Sequence, residues 1–79
     1  MQYIVVYEQS PNNWSAYVPD LPGCVAAGDT KEETRQLIAE AIAFHVETSV
    51  EYGDPLPRPG TWAEVIDVDV PSPQPAQSG

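Results

Sequence analysis

The sequence predicts an α+β domain of element order β-β-β-α-β. Residues 2–27 hold three short runs rich in β-branched and aromatic side chains, separated by turn chemistry. A single long helical segment follows, bounded at both ends by capping signals. Beyond a proline-rich connector, residues 63–70 alternate apolar and acidic side chains as a half-buried strand does.

Gln2 to Glu8 reads as the first strand, with Tyr3, Val5 and Tyr7 on one side and Ile4 and Val6 on the other. Ser10-Pro11-Asn12-Asn13 is turn chemistry, because proline presets its own φ and asparagine tolerates left-handed backbone. Trp14 to Val18 is then the second strand of a hairpin. Pro19-Asp20-Leu21-Pro22-Gly23 cannot continue a hydrogen-bonded ladder and forms a structured loop. Cys24 to Ala27 makes a short third strand, stopped at Gly28-Asp29.

Thr30 with Glu33 three residues on is a capping box, and Glu32 and Glu33 lie where the helix dipole favours anions. Gly53 after Tyr52 ends a helix of about 22 residues, roughly 33 Å long. At 100° per residue, Leu37, Ile38, Ala41, Ile42, Phe44 and His45 share one arc with Thr34, Thr48 and Ser49. Ala39, Ala43, Val46 and Val50 form a weaker apolar strip beside it, while Glu33, Glu40, Glu47 and Glu51 fall on another arc. One helix covers one face of a sheet, yet strand one is apolar on both sides. A second chain is therefore expected on the other face or on an edge.

Pro55, Pro57 and Pro59 hold the connector extended, and Ile66, Val68 and Val70 oppose Asp67 and Asp69 along the last strand. Residues 1–70 are expected to form the domain. Residues 71–79, with three prolines and no charge, are expected to be a disordered tail.

At 79 residues the chain is one small domain. A chain of this size buries only about 60–65% of its unfolded surface, so its stability is marginal unless something adds contacts. The single cysteine, Cys24, excludes an internal disulfide, and no Cys/His set has metal-ligand spacing. Association with another copy is the remaining route, as a homodimer or tetramer. No apolar run approaches the roughly 18 residues of a membrane helix, and no basic stretch precedes an apolar one at the N-terminus. A cytoplasmic location is the default expectation, and the sequon Asn13-Trp14-Ser15 is then a chance match.

Twelve acidic residues stand against Lys31, Arg35 and Arg58, for a net charge of -9. Phosphate backbones require clustered Lys and Arg, so direct nucleic-acid binding by this chain alone is not expected. The acidity either keeps a small protein soluble or complements a basic partner, and composition alone favours neither.

The stretch Trp14-Ser15-Ala16-Tyr17-Val18-Pro19-Asp20-Leu21-Pro22-Gly23-Cys24-Val25 resembles the HicB-type antitoxins of bacterial toxin–antitoxin pairs. Gly28-Asp29-Thr30 with Glu32-Glu33, the helix segment 41–47 and Gly53-Asp54-Pro55-Leu56-Pro57-Arg58-Pro59 are similar to further segments of that family. The likeness spans roughly residues 2–70. It implies a partial ribonuclease-H-like fold with a mixed four-stranded sheet and one packed helix. It also implies a partner: a small basic ribonuclease toxin of the HicA type, silenced by covering its active site. Many members add a C-terminal DNA-binding domain, whereas here only the uncharged tail follows Val70. Solitary members exist too, so the alternative is a homo-oligomeric scaffold or regulator without a toxin.

An enzyme is not expected. A ribonuclease-H-like fold would catalyse through carboxylates converging on metal ions. The candidates Asp20, Asp29 and Glu33 each have a structural role available, in a turn, before the helix and in the capping box. Cys24 with His45 would make a nucleophile and base, but a small buried cysteine and a core or interface histidine account for both. No cofactor or metal is implied. The partner-binding residues are expected to be Trp14, Tyr17, Asp20, Leu21 and Pro22. The oligomer interface is expected at Tyr3, Val5, Tyr7, Val46 and Val50.

Overall fold

The computed structural model describes residues 1–72. Three strands, β1 (Val6–Gln9), β2 (Trp14–Tyr17) and β3 (Val25–Gly28), precede one helix, α1 (Lys31–Glu51). The strands form an antiparallel sheet in the order β1-β2-β3, so β1 and β3 are both edges. The hairpin turn closes where the Ser10 amide donates to the Asn13 carbonyl at 2.8 Å. Val6 pairs with Tyr17, and Tyr17 with Val25. The neighbouring row is Tyr7–Ala16–Ala26.

Cross-strand partners share a face. The row Tyr7–Ala16–Ala26 therefore belongs to the helix side, and the row Val6–Tyr17–Val25 to the open side. The core confirms this division: Ala16, Val18, Leu21, Cys24 and Ile38 are buried together, with Tyr3, Val5, Tyr7, Ala26, Ala41 and Ile42 packed around them.

The helix boundaries follow their caps. Thr30 is extended, at φ -126° and ψ 161°, and its hydroxyl accepts from the Glu33 amide at 3.1 Å. The buried Thr34 hydroxyl donates to the Thr30 carbonyl at 2.8 Å. At the far end the Asp54 amide donates to the Ser49 carbonyl and the Gly53 amide to the Val50 carbonyl, a Schellman pair. Gly53 takes φ 72°, the left-handed conformation that glycine adopts most readily.

Three expectations need correction. Among the described residues the sheet has three strands and not four: residues 63–72 take no part in it, and Val65 is 94% exposed. The expected first strand begins late, because β2 ends at Tyr17 and leaves residues 2–5 with no ladder partner. The Val18 amide, which would extend that ladder on its other side, is used to close the next loop onto the Cys24 carbonyl. On the helix, Thr34 and Ile38 are buried, but Phe44 is 71% exposed and Leu37 also reaches solvent. Strands of four residues cover only a narrow stripe of the helix, so the predicted apolar arc is wider than the surface available to bury it. The expected tail beyond residue 72 lies outside the described residues.

Candidate partner-binding surface

The Pro19–Gly23 loop links β2 to β3 and sets the geometry on both sides of the sheet. Val18 accepts from the Leu21 amide at 3.0 Å, and the Leu21 carbonyl accepts from the Cys24 amide at 3.1 Å. This closed loop turns Leu21 inward, where it is fully buried. Gly23 makes the exit at φ 81°. Leu21 is therefore a core plug, and in the isolated chain it presents nothing to a partner.

Asp20 is also engaged within the chain. Its Oδ2 accepts from the amides of Gly60 and Thr61 at 3.1 and 3.2 Å, and its Oδ1 from the Thr61 hydroxyl at 2.9 Å. The Thr61 hydroxyl leads in holding this carboxyl below the usual carboxylate range; desolvation opposes it, and the two amides add to it. The Tyr3 hydroxyl donates to the Pro57 carbonyl at 2.7 Å, a second point at which the connector is tied down. Asp20 and Tyr3 thus fasten the chain after the helix onto the end of the sheet where β1 begins.

Trp14 and Tyr17 lie on opposite faces, as their spacing requires. Trp14 sits on the helix side, half-buried, where the Lys31 ammonium lies 5.9 Å from its ring and 5.6 Å from that of Tyr7. Tyr17 is 39% exposed on the open face, beside Val6 and Val25. Pro22 is exposed on the loop next to them. Of the five residues expected to bind a partner, Tyr17 and Pro22 are on the surface, Trp14 is half-covered, and Asp20 and Leu21 are used internally.

The open face thus carries an apolar row, Val6–Tyr17–Val25, flanked by Ile4, which shares a pocket with Pro59, Thr61 and Trp62 of the connector. The opposite, helix-side edge carries a groove of about 570 Å³ between β3 and the second half of the helix, lined by Cys24, Val25, Phe44 and His45 among others. Cys24 and His45 do share this groove. However, Cys24 is buried, and desolvation raises its pKa, which keeps the sulfur a thiol and makes it a poor nucleophile. Among the described residues no three His, Cys, Asp or Glu side chains come together as a metal site. Asp20 is occupied by the connector, while Asp29 and Glu33 belong to the helix start. Among the described residues no helix is long and apolar enough to cross a membrane.

Tyr3, Val5 and Tyr7, expected at an oligomer interface, pack against the core of their own chain but stay half-exposed. Val46 is half-buried and Val50 exposed. Alternation along the first strand was legible, but the side that the helix covers was not. The one sign of it was Val18, which shares its parity with Ala16 and precedes the loop.

Comparison with known proteins gives this surface a context. A model of the HicB-like antitoxins of bacterial toxin–antitoxin systems matches residues 3–72. The chain is 31% identical over 72 residues to Antitoxin HicB 2 of Photorhabdus laumondii, a match covering 91% of this chain and 51% of that protein. It is 40% identical over 58 residues to an uncharacterized 14.9 kDa protein from the rep-hol intergenic region of Haemophilus phage HP1, covering 73% and 44% respectively. The chain thus spans about half the length of these two curated relatives. Among solved structures it resembles a chain of the HicA3 and HicB3 toxin–antitoxin complex. That match has a TM-score of 0.62 and 32% identity, and it covers 75% of this chain and 69% of that one.

Proposed function

The chain belongs to the HicB-like antitoxins of bacterial toxin–antitoxin systems, and from that premise we propose that it binds a small basic HicA-type ribonuclease and silences it by covering its active site. The observation that carries this reading is the structural match to a chain of a HicA3–HicB3 complex, at an identity that extends beyond fold alone. Two features of the surface support it. The net charge of -9 would steer a basic partner into encounter. The apolar row Val6–Tyr17–Val25, with Pro22 beside it, offers the aromatic anchor around which interfaces concentrate their affinity. Trp14 contributes from the rim of the hairpin. The protein acts without a catalytic step of its own, without a cofactor and without touching nucleic acid directly.

Co-expression with the neighbouring reading frame tests the proposal. The expected result is a small basic protein that arrests growth alone, is harmless in the presence of this chain, and co-purifies with it. Failure of the two to co-purify would remove the basis of the reading. A stable oligomer that captures no such protein would instead favour a solitary regulator.

A further inference from the structure

At its β3 edge the sheet is open, and the flank of the helix beside that edge carries only negative charge. No strand of the described chain lies beyond β3. The Val18 amide donates to the Cys24 carbonyl in the same register that pairs Ala16 with Ala26 and Trp14 with Gly28. Bonded and non-bonded pairs alternate along an antiparallel ladder, so Ala26 and Gly28 are the residues that bond inward to β2. Val25 and Ala27 therefore aim their N–H and C=O groups outward.

The helix is divided by charge. At 100° per residue, Glu33, Leu37, Glu40, Phe44, Glu47 and Glu51 fall within one arc of about 80°. That arc belongs to the β3 side: Phe44 lines the groove with Cys24 and Val25, and the Glu33 side chain lies close to Gly28. Leu37 and Phe44 stand exposed between the carboxylates. The two cations of the helix, Lys31 and Arg35, fall on the opposite flank, where Lys31 lies over Tyr7 and Trp14. An open backbone edge, an apolar groove and a row of carboxylates thus run side by side.

We propose that the basic partner protein adds an extended segment to the β3 edge as a further strand. Main-chain bonds to Val25 and Ala27 supply affinity, and the side chains that point to the helix supply specificity. One of these is apolar and enters the groove beside Phe44, while Lys or Arg two residues away reaches Glu40 or Glu47. The identity of the partner rests on the antitoxin reading; the strand addition adds where and how its chain is held. Val25 ends the apolar row Val6–Tyr17–Val25 and also lines the groove, so the edge continues the surface already described. A second copy of this chain is the wrong occupant, because edge-to-edge pairing would bring two carboxylate rows together in chains of net charge -9. A helix laid on this edge would cover the Val25 and Ala27 amides without pairing them.

Hydrogen exchange and binding kinetics of the full chain with a catalytically inactive, small basic HicA-type ribonuclease test this. The Val25 and Ala27 amides should exchange as open ones in the free chain and about tenfold or more slowly in the complex. Ala27→Pro removes an outward donor that the fold itself does not use. Its helix signal should stay intact while affinity falls about tenfold or more. Glu40 and Glu47 are exposed, so joint Glu40→Lys and Glu47→Lys should leave the fold unchanged and slow association about tenfold. Strand addition is overturned, with capture by the Val6–Tyr17–Val25 face left standing, if the ribonuclease binds but both amides stay open in the complex. Binding that the proline and lysine variants leave unchanged has the same consequence. Amides already protected in the free chain would show that the edge is filled, and would also overturn it. No binding by the wild-type chain would remove both readings together. The wild-type exchange and the charge reversal decide the matter even where the proline variant fails to fold.

Discussion

Asp20 shows how one side chain can serve the fold where its sequence context suggested recognition. Three donors from Gly60 and Thr61 converge on its two oxygens, so Asp20→Asn should loosen the connector without disturbing the helix. Faster hydrogen exchange confined to the amides of residues 60 and 61 would show this. The pH dependence follows from the depressed pKa. The carboxylate contributes its stabilisation above the unfolded value of about 3.9 and loses it as pH falls through the lower folded value. Acidification below about pH 4 should therefore release the connector before the core melts. Leu21 behaves differently, being fully buried at the centre of the core. Leu21→Ala should cost about 2–5 kcal/mol in denaturant melts. Gly28 is constrained for another reason: an added Cβ would meet the buried Thr34 hydroxyl at 2.8 Å and the Glu33 side chain at 3.1 Å. Gly28→Ala should lose about 1–3 kcal/mol through overpacking between strand and helix.

At the scale of elements, local chemistry decides boundaries and tertiary packing decides faces. Thr30→Ala removes the side-chain acceptor of the Glu33 amide and should cost about 1 kcal/mol of stability, read from the midpoint of a thermal melt. This cap was legible from Thr30 and Glu33 alone, as was the stop at Gly53, because both depend on residues within one turn of each other. The hairpin was equally legible, since Pro11-Asn12-Asn13 and the flanking aromatics are local signals. The burial of the Pro19–Gly23 loop was not. Nothing within five residues announces that Leu21 turns inward or that Asp20 finds Thr61 forty-one positions away. The helix arc failed at Phe44 and Leu37 for a related reason. Periodicity gives the phase of an apolar face, while its buried width is set by the sheet beneath. For the binding surface, parity separated Trp14 from Tyr17, but only the register Val6–Tyr17–Val25 shows which of them is left uncovered.

At the scale of the whole molecule, a small sheet covered on one face leaves an apolar row on the other, in a chain with net charge -9. That combination would suit the proposed capture of a basic protein: long-range attraction would accelerate encounter, and desolvation of Tyr17 and its neighbours would retain the partner. Raising the salt concentration should slow association while leaving dissociation nearly unchanged.

Titration of the chain into a small basic HicA-type ribonuclease, followed by calorimetry and by RNA cleavage, tests the central claim most directly. The account predicts saturable binding, loss of cleavage in step with occupancy, and an affinity about tenfold or more weaker for Tyr17→Asp, whose buried charge would lack a partner. Undiminished cleavage at a saturating excess of the chain, or binding that Tyr17→Asp leaves unchanged, would contradict it.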